Sequence, residues 1–195
     1  MSNLAGQTHN AFEFIEKLFL ETSYLIKEVE GQLQQMPEEF VILRPAGYQV
    51  SALTSQGLEA KNVGFWLRKR LAVAFVPDGM TELRAGQTHT PFSDDLRVMF
   101  LVIVYYSADL NEPMAFFGYV DRIENKAKHY KKFEHTMLEF ANPKIKMLNS
   151  GPKISFDDGY CSMSGEVKKL KLYSLKTTED VRKKLVEPMV KLYRG

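Results

Sequence analysis

The stretch that decides the fold is Leu-Arg-Val-Met-Phe-Leu-Val-Ile-Val-Tyr-Tyr, residues 96–106, in which nearly every side chain is apolar. It is far too short to cross a bilayer as a helix, which takes about 20 residues. A run of this length is typical of a strand that is buried on both faces. A polar turn at residues 109–113 separates it from another strand-like stretch, residues 114–123, so the two are predicted to form an antiparallel hairpin.

Further strands are predicted on either side of this hairpin. Residues 63–76 alternate between a nearly apolar face and a mixed face, and Pro77-Asp78-Gly79 ends them with turn chemistry. Residues 79–95 have the composition of a long loop. The remaining predicted strands are residues 47–54, 153–156 and 165–175.

Three helices are predicted from apolar residues at spacings of three and four. The first covers residues 11–36, with Asn10 as its N-cap and Pro37 at its end. The second covers residues 125–141, and the third runs from Thr178 towards Tyr193, with Thr177 as its cap and a kink or an early end at Pro188.

The order of elements is not a βαβ alternation. It predicts a single α+β domain over residues 1–195, with a mainly antiparallel sheet flanked by a long N-terminal helix, a middle helix and a C-terminal helix. Hydrophobic residues make up 45% of the chain and charged residues 26%, as in folded globular proteins. The lone Cys161 excludes an intramolecular disulfide, and the N-terminus lacks the features of a signal peptide, so we expect a cytoplasmic protein without a membrane partner.

Charge is unevenly distributed along the chain. Residues 1–125 hold 10 Lys and Arg against 16 Asp and Glu, or −6, whereas residues 126–195 hold 16 against 8, or +8. Two basic groups interleaved with aromatic residues suggest a surface for a nucleic-acid backbone: Lys128, Lys131 and Lys132 on the middle helix, and Lys169, Lys171 and Tyr173 on the last strand. The alternatives are a solvated lysine-rich face, or two halves that neutralise each other when they pack.

A second candidate for anion binding lies in the strand at residues 63–76. Trp66, Arg68 and Arg70 occupy successive positions on one face, where two guanidinium groups and an aromatic wall could hold a carboxylate or phosphate. The alternative is that Trp66 packs under a helix while both arginines reach solvent.

The sequence contains no phosphate-binding glycine loop, no nucleophile elbow and no pair of histidines at metal-ligand spacing. We therefore expect a non-catalytic binding or regulatory module for an anionic ligand, either a small phosphate or carboxylate or a nucleic-acid backbone, without a cofactor. One alternative is a metal-dependent nuclease or phosphodiesterase, in which Asp157, Asp158 and Glu166 hold a divalent ion and Lys168 supports the attacking water. Another is an assembly protein that acts through a protein partner.

Two further features bear on partners. The string Ala-Gly-Gln-Thr-His occurs twice, at residues 5–9 and 85–89, and suggests either two similar loops with a common ligand or a coincidence. The long apolar stripe of the helix at residues 11–36 suggests either packing across the sheet or pairing with a second copy in a homodimer.

Overall fold

One antiparallel sheet with two helices against it organises the chain. The computed structural model describes residues 3–43, 48–50, 69–80, 96–125, 148–157, 159 and 161–195. Its strands are β1 (Phe40–Ile42), β2 (Tyr48–Val50), β3 (Arg70–Pro77), β4 (Val98–Val104), β5 (Met114–Asn125), β6 (Lys153–Asp157) and β7 (Cys161–Lys171). They are ordered β1-β3-β4-β5-β7-β6 in an open sheet, and β2 also pairs with β3.

The predicted hairpin is the centre of this sheet. All seven residues of β4 are buried, and β4 pairs along its whole length with β5, as the apolar run predicted. β3 is the other neighbour of β4. On the face predicted to be mixed, Arg70 is half-buried at the start of β3, and Ala72, Ala74 and Val76 are buried after it. Small and branched apolar side chains fill both faces of this central strand.

The first helix, α1 (Leu4–Gln34), is longer than predicted. Its N-cap is Asn3, whose side-chain oxygen accepts a hydrogen bond from the Gly6 N–H at 2.9 Å, so the prediction of Asn10 as the cap is wrong. Nothing in residues 4–10 breaks a helix as proline would, and the asparagine side chain satisfies one of the free N–H groups of the first turn. The helix ends two residues earlier than predicted.

The C-terminal helix, α2, consists of Thr178–Val181, a π-helical turn at Arg182–Val186 and Glu187–Arg194. Thr177 caps it as predicted, with its hydroxyl accepting from the Asp180 N–H at 3.1 Å. Pro188 does not end the helix. The π-helical turn before it changes the hydrogen-bonding pattern, so that the Glu187 N–H is bonded to the Arg182 carbonyl, five residues back.

The sheet separates two apolar layers. On its helix face, residues of α1 and α2 pack against side chains such as Phe75, Leu101 and Phe117. On its second face, a distinct cluster includes Phe100, Phe116, Ile154 and Phe156, with Leu148 packed beside them. The central strands therefore carry apolar residues on both faces of the sheet. The edge strand β6 alternates between buried and exposed side chains.

Two glycines allow β5 and β7 to approach each other closely. A Cβ on Gly118 would lie 1.9 Å from the Glu166 carbonyl oxygen, and one on Gly165 would lie 1.9 Å from that of Tyr119. The register between these strands then shifts between Asp121 and Glu124, where Arg122 has a φ of 50°. This bulge changes the direction of the last residues of β5 relative to its first residues.

The last strand differs in extent from its prediction, and the predicted middle helix is almost entirely outside the described residues. β7 begins at Cys161 and ends at Lys171, four residues before the predicted end, and a 3₁₀ turn follows at Leu172–Ser174. Of the predicted middle helix only Asn125 is described, and it is the last residue of β5. The fold class is thus confirmed in its antiparallel sheet, but two rather than three flanking helices are seen in the described part. Of the helices described, none is both long and apolar enough to cross a membrane.

Candidate anion-binding site

The strand register brings three of the predicted ligand-binding residues to the same end of one sheet face. Arg70 is paired with Val104, Val104 with Met114, and Met114 with Lys171. Directly opposed residues in an antiparallel sheet point to the same face, so these four form one row across four strands. Val104 belongs to the second-face cluster, and Met114 packs against it, which assigns the row to that face.

Lys169 extends the positive charge into the neighbouring row. It is paired with Phe116, which is itself paired with Val102, and both of these apolar residues belong to the second-face cluster. The end of the second face therefore carries a guanidinium on β3 and two ammonium groups on β7. Three strand spacings separate Arg70 from Lys171, or roughly 14 Å. Apolar side chains of Val104 and Met114 lie between them.

The two lysines are exposed but not isolated. Lys171 Nζ lies 2.7 Å from a carboxylate oxygen of Glu112, and Lys169 Nζ donates to the side-chain oxygen of Asn149 at 2.6 Å. The side chain of Lys171 is 65% exposed, so the pair with Glu112 is well solvated and worth less than about 1 kcal/mol. An incoming anion can replace the carboxylate at little cost.

Arg70 differs from the lysines because it is partly buried. Burial lowers the pKa of its guanidinium, since the protein interior stabilises a cation less than water does. The group remains charged at neutral pH, because an arginine pKa starts far above this range. Arg70 has interactions within the chain, and an anion near it would be screened less than one at a fully exposed lysine.

The other predicted ligand-binding residues either lie outside the described residues or lie off the strand. Trp66, Arg68, Lys128, Lys131 and Lys132 lie outside the described residues. Tyr173 does not continue the alternation of Lys169 and Lys171, because the chain leaves β7 after Lys171 and places Tyr173 in the 3₁₀ turn. Its ring is 56% exposed there.

The basic residues of α2 are largely neutralised by acids nearby. Lys183 lies 2.8 Å from Glu179, Lys184 lies 2.6 Å from Asp180, and Arg182 lies 3.0 Å from Glu187. Arg194 joins the two oppositely charged halves of the sequence through Glu38, at 2.7 Å. Charge on α2 is thus a set of local pairs, whereas at the end of the second face Lys169 contacts the uncharged side chain of Asn149.

Of the residues of the nuclease alternative, Asp157 on β6 and both Glu166 and Lys168 on β7 lie on the helix face of the sheet. Glu166 and Lys168 point to the same side of β7, as strand alternation requires. Asp157 is paired with Ser162, whereas Glu166 is paired with Lys153. These two carboxylates are four positions apart along the ladder, roughly 13 Å, which exceeds the span of ligands around one ion at 2.0–2.6 Å.

Asp158 lies outside the described residues, so the complete set of proposed ligands is not seen together. Across the parts of the chain that the structure covers, no three His, Cys, Asp or Glu side chains are grouped as metal ligands. The nuclease alternative stays a prediction, and it requires a second ion or a further carboxylate close to Glu166.

The repeated string has a helical first copy. Residues 5–9 form the first turns of α1, and His9 Nε2 lies 3.0 Å from the Glu13 carboxylate one turn later. The second copy, residues 85–89, lies outside the described residues. A pair of similar loops is therefore wrong for the first copy, since Asn3 starts the helix ahead of the string.

Sequence reasoning missed a cluster around Arg97, next to the start of β4. Its guanidinium lies 2.9 Å from Asp121, stacks 4.5 Å from the ring centre of Tyr119 and donates to the Tyr193 carbonyl. The cluster ties β4 and β5 to the end of α2. Its partners are 24 and 96 residues away in sequence, so no local pattern could have revealed it.

The residues that sequence reasoning missed at the candidate site are Glu112, Met114 and Asn149. Glu112 lies in the predicted polar turn just before β5, and the pairing of Met114 with Lys171 brings it next to that lysine.

No known protein family, curated protein or solved structure matches this chain. The basis for assigning a function is therefore the arrangement of its own residues.

Proposed function

We propose that the chain is a non-catalytic binding module for an anionic ligand, held at the end of the second face by Arg70, Lys169 and Lys171. The observation that carries this proposal is the strand register, which places Arg70 and Lys171 at the two ends of one row. Two residues 101 positions apart in the sequence, Arg70 and Lys171, thus lie in one row of the sheet. In this proposal Arg70 and the two lysines of β7, which were predicted as parts of separate groups, act together on one ligand.

The chemistry of the site favours phosphate or carboxylate groups. Two lysines supply point charges that suit phosphate, and a partly buried arginine can donate two parallel hydrogen bonds to one anionic group. The separation of roughly 14 Å suits a ligand with two anionic groups or a short segment of a nucleic-acid backbone. Met114, which is only partly buried, offers an apolar surface between the charges, against which a base or another flat group can pack.

The test compares two double variants that remove equal charge. Lys169→Gln with Lys171→Gln removes the cations of the site, whereas Lys183→Gln with Lys184→Gln removes two cations that are paired on α2. Binding is measured by the thermal midpoint with pyrophosphate, and by fluorescence anisotropy with a labelled single-stranded 12-mer of DNA. We expect the site variant to bind the better probe about 10-fold more weakly, from about 1.4 kcal/mol of lost contacts, and the α2 variant to bind like wild type.

The two probes distinguish a small ligand from a nucleic acid. Preference for the 12-mer with an affinity that falls steeply as salt rises indicates backbone binding, and preference for pyrophosphate indicates a small anion. Equal losses in both double variants would mean that only net charge matters, which contradicts a defined site. If wild type binds neither probe, the proposal is wrong. Cleavage of the 12-mer that requires Mn²⁺ and disappears in Glu166→Gln would replace it with the nuclease alternative.

A further inference from the structure

The N-terminal half of α1 carries an apolar face that has nothing to pack against in the described part of the chain. From Phe19 onwards the helix touches the body: Phe19 stacks edge-on against Tyr105 at 5.7 Å, and Thr22, Ile26, Val29 and Leu33 are buried. Residues 4–18 precede this contact. At 1.5 Å per residue they form a helical arm of roughly 22 Å.

The apolar stripe of the packed half continues along this arm. Leu4, Thr8, Ala11 and Ile15 precede Thr22, Ile26 and Val29 at spacings of three, four or seven residues and so lie on the same side of the helix. Phe12 and Leu18 flank the stripe on either side, and Phe14 extends it beyond Leu18. A face this wide is typical of a helix that is buried along one side.

The exposed area is close to what a small dimer interface needs. Phe12 and Phe14 are each 63% exposed and Leu4 is 68% exposed. On the 150–250 Å² scale of aromatic side chains, each ring leaves roughly 130 Å² in water. With Leu4 and the partly exposed Ile15 and Leu18, the arm presents on the order of 450 Å², and two such faces approach the roughly 1,000 Å² of a specific interface.

An arm of this length gains stability from a partner. The arm extends a helix that is already nucleated at the sheet, but each added residue of a helix is only marginally favourable in water. The arm also contains Gly6, which is less favourable than alanine in a helix. Burial of the stripe would supply the stabilisation that the second half of α1 obtains from the sheet.

The charges of the arm favour a second copy over an anionic membrane as the partner. Glu13, Glu16 and Lys17 lie on the side opposite the stripe and sum to −1. Membrane-surface helices carry Lys and Arg on the polar face, because these attract anionic lipids. In a two-fold dimer the stripes meet while the charged sides remain in water, so no like charges are brought together.

The described part of the body favours antiparallel pairing along the stripe. A parallel partner that followed the stripe would reach the sheet of this copy at Phe19, because the same side of α1 packs on the sheet from there. An antiparallel partner has its own body beyond the tip of this arm. Its tip then reaches the base of this arm, where Phe19 stacks against Tyr105.

Aromatic surface continues from the arm onto the body at this base. The Tyr105 hydroxyl donates to Thr22 Oγ1 at 2.9 Å, which holds the ring beside α1. Burial raises the pKa of Tyr105, and the nearby Tyr173 phenol raises it further, against the opposing effect of the Thr22 hydrogen bond.

We propose that residues 4–18 of two copies pair as antiparallel helices and form a homodimer through the stripe, with Leu4, Ala11 and Ile15 at its centre and Phe12 and Leu18 at its sides. This interface is independent of the anion-binding site. It is also smaller than a dimer through residues 11–36 would be, because Thr22–Leu33 is occupied by the sheet of its own copy.

The test is sedimentation equilibrium of the full chain over a concentration series. Phe12→Ser with Ile15→Ser removes two apolar residues from the stripe. Leu20→Ser with Tyr24→Ser is the matched control, since these side chains are 52% and 61% exposed on the opposite side of the same helix. We expect a micromolar dimer for wild type and for the control, and a dissociation constant at least 100-fold larger for the stripe variant.

Circular dichroism shows whether the variants fold as the wild type does. Both variants should retain the wild-type thermal midpoint when they are dilute, so that a change in dimerisation does not reflect loss of folding. A wild type that stays monomeric at every concentration overturns the proposal. Dissociation of the control variant to the same extent as the stripe variant overturns it as well, since the interface would then not follow the stripe.

Disulfide exchange tests the direction of pairing. Proteins with Leu4→Cys and with Leu18→Cys, each also carrying Cys161→Ser, are mixed and oxidised slowly. Antiparallel pairing brings Leu4 of one copy near Leu18 of the other, so the mixed disulfide should predominate. Predominance of the two symmetric disulfides would indicate parallel pairing and contradict the antiparallel arrangement.

Discussion

The two halves of α1 carry the same apolar stripe but differ in what the stripe meets. In the second half, Ile26, Val29 and Leu33 are buried against the helix face of the sheet. In the first half, Leu4, Phe12 and Phe14 are exposed. The spacing of apolar residues indicates that one side of a helix will be buried, but it does not distinguish burial within the chain from burial against another copy.

The largest expected effect is on the free energy of unfolding, which substitutions in the two halves of α1 should change by different amounts. Leu33 is completely buried, so Leu33→Ala should lower the free energy of unfolding by about 3 kcal/mol through lost transfer energy and a cavity. Phe12→Ala should change it by less than about 0.5 kcal/mol when the protein is dilute and monomeric. Urea denaturation followed by circular dichroism measures both. If Phe12→Ala costs as much as Leu33→Ala, the first half of α1 is packed within its own copy.

A smaller effect distinguishes the glycines of the two halves. A Cβ on Gly31 would meet nothing within 4 Å, so Gly31→Ala should stabilise the protein by about 0.5–1 kcal/mol through better helix propensity. A Cβ on Gly6 would lie 2.6 Å from the side chain of the N-cap Asn3. Gly6→Ala should therefore give little or no gain, because it displaces the cap. Thermal midpoints of the two variants check this order, and a larger gain at Gly6 would show that the cap contributes little.

The smallest effect concerns the segment just after the packed half. Two hydrogen bonds from Arg194, at 2.7 and 2.8 Å, lower the pKa of Glu38, against an opposing effect of burial. A carboxyl with a lowered pKa in the folded state stabilises at neutral pH, and this stabilisation disappears as the pH falls through the lowered value. Glu38→Gln should cost less than about 1 kcal/mol at pH 7.

The loss from Glu38→Gln should vanish in acid, so the unfolding free energies of wild type and variant should converge as the pH is lowered. Glu39→Gln is the control, because it removes the same charge from the next, exposed side chain. A Glu38→Gln deficit that persists unchanged into acid would mean that the glutamate acts by packing and not through its charge.

Local patterns predicted part of the candidate site. Strand alternation placed Lys169 and Lys171 on one side of β7, and it placed Arg70 in a strand. It failed for Tyr173, because the chain turns out of the strand immediately after Lys171. Alternation could not show that Arg70 and Lys171 belong to one row, since that follows from the pairing of β3, β4, β5 and β7. Nor could it reveal the contact of Lys171 with Glu112, which lies in a turn.

The sequence by itself determined the antiparallel α+β character of the chain, the central strand β4, the cap at Thr177 and the amphipathic side of α1. These depend on local signals, namely runs of apolar residues, their period and the side chains at helix ends. Tertiary structure decided the strand order, the close approach of β5 and β7 at Gly118 and Gly165, the Arg97 cluster and the point where α1 leaves the body. These depend on contacts between residues far apart in the chain, which become fixed only when both faces of the sheet are packed.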